Sequence, residues 1–166
     1  MRTFPALAPL LLLAPMMAAA QEPEIQRPVG TAQAVGAAHT VRQIPEACVR
    51  IEGRFTGRAE APYDMQLVRT SAQCQPRAEV LDHARVQADA NAWTLNDRIR
   101  IPAANCPQQQ AVVEVWRKQV QQPLDRDGQG QVRVYLDQMR QQAAAGHLAE
   151  RPAYAIRMEV QGKACR

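Results

Sequence analysis

The sequence predicts a mainly β domain, an antiparallel β-sandwich or small barrel with two disulfides and one short helix in the C-terminal half, with an α+β domain as the alternative. Three observations carry this. Apolar and charged residues alternate with period two over several short stretches, the mark of strands buried on one face and wet on the other. Turn-forming Gly, Pro, Asn and Asp separate those stretches at short spacings. The cysteines Cys48, Cys74, Cys106 and Cys165 are even in number and all lie beyond residue 20, which suits a disulfide framework better than a metal or redox site.

The chain opens on a segment of a different kind. Arg2 gives a short basic start, residues 6–17 an apolar stretch, and Ala18, Ala19 and Ala20 a small-residue cleavage site, so residues 1–20 read as a secretory signal peptide and the mature chain is expected to begin at Gln21. Pro5, Pro9 and Pro15 interrupt the apolar stretch, which is also shorter than the ~20 residues a membrane-spanning helix needs. No later stretch is apolar enough to span as a helix. The expected location is therefore periplasmic or secreted, and the mature protein is not expected to be membrane-embedded. Residues 21–45 hold no apolar rhythm and several prolines, and they read as a flexible lead-in. Residues 46–166 have the length of one ordinary domain.

Within it the elements follow in order. Val49, Ile51 and Phe55 alternate with Arg50, Glu52 and Arg54, and Tyr63, Met65 and Leu67 continue the pattern on a second strand. Residues 78–90 also share a parity, Val80, Ala84, Val86, Ala88 and Ala90 opposite Glu79, His83, Arg85, Gln87 and Asp89, and read as a strand despite their helix-forming composition. Trp93, Leu95, Ile99 and Ile101 keep one parity opposite Arg98 and Arg100. Residues 111–120 are β-branched almost throughout and read as a strand buried on more than one side. Val132, Val134 and Leu136 mark another strand, residues 137–145 a helix closed by Gly146, and Tyr154, Ile156, Met158 and Val160 a final strand opposite Arg157 and Glu159.

Charge narrows the function classes. The net charge is +4, or +3 once Arg2 leaves with the signal segment, and every basic residue but Lys118 and Lys163 is Arg. The basic residues are scattered and aromatics are few, so nucleic acid is not an expected partner. The strand parities instead put Arg50, Arg54, Arg98, Arg100, Arg133 and Arg157 on outward sheet faces together with Glu52, and Arg50, Arg54, Arg98 and Arg100 are the candidate binding residues for an acidic envelope polymer or protein surface. The competing use of such faces is simple solvation and protection of sheet edges.

Catalytic and metal motifs are weak by comparison. Asp125, Asp127, Gln129, Gly130 and Val132 match half of an EF-hand loop, but Leu136 stands where the bidentate carboxylate belongs and Asp137 is one residue late, so the stretch reads as a turn. His39, His83 and His147 lack the spacing of a zinc site, and Asp82 and His83, adjacent on a strand, would point to opposite faces. Ser71 is the one serine and lacks a nucleophile-elbow context. The expected function is an exported, disulfide-stabilised, non-catalytic binding module of the cell envelope with no cofactor; the alternatives are a small exported hydrolase acting on cell-wall or carbohydrate material, and an inhibitor of such a hydrolase. Of the three possible disulfide pairings, an up-and-down strand order favours Cys74 with Cys106 and Cys48 with Cys165.

Overall fold

Two antiparallel hairpin systems, each needing cover for one apolar face, account for the architecture. The computed structural model describes residues 21–118 and 151–165, with the single positions 128, 140, 141, 144 and 145 between them. The first sheet runs β1 (His39–Ile44), β2 (Val49–Phe55) and β3 (Tyr63–Arg69) as an antiparallel meander. The second has the order β4-β7-β6-β5 and contains β4 (Glu79–Asp82), β5 (Thr94–Ala103), β6 (Cys106–Lys118) and β7 (Ala153–Gly162), with β4 parallel to β7 and the other neighbours antiparallel. The chain is thus mainly β, with two disulfides, and among the described residues its strands form two sheets and no closed barrel. The strand expected at Val132–Leu136 lies outside the described residues, and so does most of the helix expected at residues 137–145; of that stretch Arg140, Gln141 and Ala144 are helical and the Ala145 N–H donates to the Gln141 carbonyl at 3.0 Å.

The sheets bury their inner faces against each other. Ile44, Ile51, Phe55 and Tyr63 of the first meet Ile99, Ile101, Val113 and Val115 of the second in one cluster. Removing such side chains from water contributes about 1.5–3 kcal/mol each, which is what holds two sheets without main-chain bonds between them. A second, smaller cluster covers the other face of the second sheet at one end, where Leu95, Trp116, Ala153 and Ala155 pack with Ala88 and Trp93. This explains why β6 is apolar on both parities, as its sequence suggests.

Local chemistry corrects two strand readings. Residues 78–90 are a strand only over Glu79–Asp82, because Asp82 then turns its carboxylate back to accept a hydrogen bond from the Ala84 N–H (3.0 Å) and starts a one-turn helix, α1 (His83–Val86). In β5 the pairing with β6 slips between Leu95 and Asp97, so Leu95 lies opposite Trp116 on the α1 side while Asp97 lies opposite Val115 on the inner side. Leu95 therefore does not share a face with Ile99 and Ile101, although the three have the same parity in the sequence.

Residues 21–45 are not a free lead-in. They end in β1, and before it the stretch 24–35 forms a strap parallel to β5: the N–H groups of Glu24, Ile25, Gly30 and Gln33 donate to the carbonyls of Leu95, Asn96, Arg100 and Pro102 at 2.8–3.0 Å. The strap then crosses to the first sheet, where Gly36 N–H donates to Phe55 O at 2.8 Å. It covers the outer edge of β5 and supplies main-chain partners to an edge that would otherwise be open. Such ordering needs no apolar rhythm, which is why composition missed it.

The disulfides are Cys48–Cys74 and Cys106–Cys165, with Cα–Cα distances of 5.9 and 5.6 Å, and not the pairing expected from a single up-and-down order. Antiparallel neighbours bring the start of one strand beside the end of the next. Cys48 precedes β2 and Cys74 follows β3, its partner; Cys106 opens β6 and Cys165 follows β7, its partner.

A packing detail in the first sheet is open to test. Tyr63 lies across Gly53, so that an ideal Cβ on Gly53 would stand 1.7 Å from its hydroxyl oxygen. The ring packs edge-on to Phe55 at 4.9 Å and its hydroxyl lies 2.8 Å from His39 Nε2, and burial raises its pKa. Gly53→Ala must expel this ring from its seat, and we expect a loss of about 1–3 kcal/mol in urea unfolding, the usual range for overpacking. An unchanged midpoint would show that Tyr63 is free to move.

Candidate functional site

The arginines expected to bind lie on two faces that point away from each other, since the inner faces of the sheets are packed together. On the first sheet Arg50 pairs with Glu52 at 2.5 Å and Arg54 with Asp64, its neighbour across β3, at 3.4 Å. That face is neutralised by its own carboxylates. On the second sheet Arg98 lies opposite Glu114 and pairs with it at 2.9 Å, and Arg157 pairs with Asp89 and Glu159 at 3.4 and 3.3 Å. Arg100 lies opposite Val112, and among the described residues no carboxylate stands within ion-pair distance of it. The register thus decides which arginine is spent and which is available. Arg133 lies outside the described residues.

The strap brings a further guanidinium to Arg98 and Arg100. Arg27 directs Nε to both carboxylate oxygens of Asp97 at 2.9 Å, and among the described residues its Nη groups have no partner. Glu22 and Pro23, just before the strap, and Gln26 and Arg27 within it line, together with Arg98 and Arg100, a cleft of about 210 Å³. Arg98 also donates from Nη2 to the Gln21 carbonyl at 3.4 Å.

Beneath the cleft sits an ion cluster that holds it in shape. Asp97 is fully buried on the inner side of β5 and accepts from Arg27 and from Arg42 Nη1, each at 2.9 Å. Arg42, on the inner side of β1, also donates to Asn96 Oδ1 at 2.5 Å. Burial pushes the pKa of Arg42 down and Asp97 opposes the shift. One carboxylate therefore joins the strap, the first sheet and the second. Arg27, Arg42 and Asp97 were not among the expected functional residues, yet Asp97 stands at an apolar parity between Leu95 and Ile99, and a charge in that position signals a buried pair.

Glu24 ties down the other end of the strap. It accepts from Arg117 Nε and Nη2, each at 2.5 Å, and from Asn96 Nδ2 at 2.8 Å. Those bonds, Arg117 first, hold its pKa at about 2 against an ordinary 4.5. Because the folded value is the lower one, the stabilisation is present above pH 4.5 and is lost as pH falls towards 2. A Glu24→Gln variant is expected to melt below the wild type at pH 6, and the gap is expected to narrow through that window; a gap that stays constant down to pH 2 would remove Glu24 from this role.

The remaining candidates are dispersed. His39 is on β1 against Tyr63, whereas His83 lies on α1 with its ring 5.9 Å from that of Trp116 and its Nε2 4.0 Å from Asp89. His83 Nε2 and Trp116 Nε1 are buried without a hydrogen-bond partner among the described residues. Ser71 exchanges hydrogen bonds with Gln73, its Oγ donating to Oε1 at 2.9 Å and accepting from the N–H at 3.2 Å, as a turn residue does. His147 and the liganding positions of the calcium-like loop, Asp125, Asp127 and Gln129, lie outside the described residues. Among the described residues no group of three or more His, Cys, Asp or Glu is placed to hold a metal ion, and no helix is long and apolar enough to cross a membrane. Comparison with protein-family models, with curated proteins and with solved structures found no match to this chain.

Proposed function

We propose that this chain is an exported, non-catalytic binding module of the cell envelope, periplasmic or secreted, whose partner is an acidic polymer. The observation that carries the reading is the convergence of Arg27, Arg98 and Arg100 on one cleft at the edge of β5, with Arg100 free of a carboxylate partner among the described residues. Guanidinium forks match carboxylate groups bidentately, and several along one edge attract a chain of like charges. The two disulfides suit an oxidising compartment, in keeping with residues 1–20 acting as a removable leader.

The test is direct binding of the purified mature chain to polygalacturonate, with neutral dextran as the comparison. Binding to the acidic polymer alone is expected, and it should weaken at least tenfold as salt rises from about 0.05 to about 0.3 M and the screening length shrinks. Equal retention on dextran, or no retention of polygalacturonate at low salt, would refute the reading.

A further inference from the structure

We infer that the cleft between the strap and β5 receives one carboxylate-bearing sugar unit, such as a hexuronic acid, rather than a phosphate group; this rests on the reading of the chain as a binder of acidic envelope polymers. The charge balance of the lining makes the distinction. Among the described residues Arg100 has no carboxylate partner, and Arg27, although its Nε is bonded to Asp97, makes no hydrogen bond from its Nη groups, so both still present planar donors. Glu22 adds a negative charge to the same lining. A dianionic phosphate would meet that charge twice over, whereas a single carboxylate seated on Arg100 meets it once and leaves Glu22 available to accept from hydroxyl groups. Gln26 has its Nε2 committed to the Pro23 carbonyl at 3.0 Å, which turns its Oε1 into a second acceptor for a hydroxyl. Pro23 supplies an apolar patch for the carbon side of a ring.

Size agrees with a single unit. At about 210 Å³ the cleft is smaller than the ~300–1,000 Å³ typical of sites for drug-sized ligands. It lies along an edge and is open to solvent at the exposed Glu22 and Gln26, so a polymer would thread past with one residue seated at a time. Arg98, whose Nε is held by Glu114, acts as a fixed positive wall rather than as a fork for the ligand.

Titrating the purified mature chain with glucuronate, glucose and inorganic phosphate, read by chemical-shift changes or calorimetry, tests this. Glucuronate is expected to bind at least tenfold more tightly than phosphate, with glucose silent. Arg100→Ala should weaken glucuronate at least tenfold, Glu22→Gln should narrow the preference over phosphate, and Arg58→Ala, in the turn between β2 and β3 where Arg58 lies 3.7 Å from Asp64, should leave both unchanged. Phosphate binding as tightly as glucuronate, or an Arg100→Ala chain that binds glucuronate like the wild type, would overturn the assignment. Polygalacturonate binding undiminished in Arg100→Ala overturns this site and leaves the broader reading standing. Glucuronate binding that depends on Arg100 while the polymer is ignored keeps the cleft and removes the polymer.

Discussion

Replacing Asp97 by alanine is expected to cost about 3–5 kcal/mol, the largest effect of any single side chain here, because it leaves a buried positive charge without its counter-ion. The Asp97 side chain is fully buried, and that of its partner Arg42 is only 13% exposed. Arg27, at 42% exposed, can find water once released, so most of the penalty falls on Arg42. The loss should appear as a lower urea midpoint. A paired replacement, Asp97→Leu with Arg42→Met, removes both charges and should recover much of the loss, since an apolar pair of similar volume avoids desolvation of either ion. The strap should also loosen in Asp97→Ala, and with it the cleft over Arg100. A cost under about 1 kcal/mol would show that solvent reaches the cluster and that it does not fasten the sheets together.

Loss of either disulfide is the second large effect. Their sequence separations are 26 for Cys48–Cys74 and 59 for Cys106–Cys165. The loop-entropy relation gives about 3.5 and about 4 kcal/mol respectively, values that measured cases often fall below. Replacing Cys106 and Cys165 together by alanine should therefore destabilise somewhat more than replacing Cys48 and Cys74. Both changes should lower the unfolding midpoint with little effect on the cleft, which neither bridge touches. If both pairs can be removed for less than about 1 kcal/mol each, the bridges merely decorate ends that the sheets already hold.

What the sequence made legible follows from where each constraint originates. Strands β2, β3 and the part of β7 from Ile156 onward could be read because each has one face against the core and one towards water, so period two is imposed directly on residues such as Ile51 and Arg50. The disulfide pairing failed because it depends on how strands divide between sheets, which no local pattern records; the antiparallel rule that joins the start of β6 to the end of β7 would have found it had the two hairpin systems been separated first. The slip at Leu95 and Asp97 was invisible for the same reason, since a bulge changes faces without changing parity. Of the candidate site, Arg98 and Arg100 were legible as outward-facing. That Glu114 neutralises one, while the other faces Val112 and has no carboxylate partner among the described residues, is a matter of cross-strand register. Arg27 was hidden in a stretch whose order comes from main-chain bonds and ion pairs rather than from apolar burial.

The measurement that bears most directly on the account is a backbone and arginine side-chain chemical-shift map of the mature chain with polygalacturonate added. The expected map has its largest changes at Arg27, Arg98 and Arg100 and at Glu22 and Gln26, with Arg50 and Arg54 on the opposite sheet face undisturbed. Changes centred on Arg50 and Arg54, or spread evenly over both faces, would contradict it.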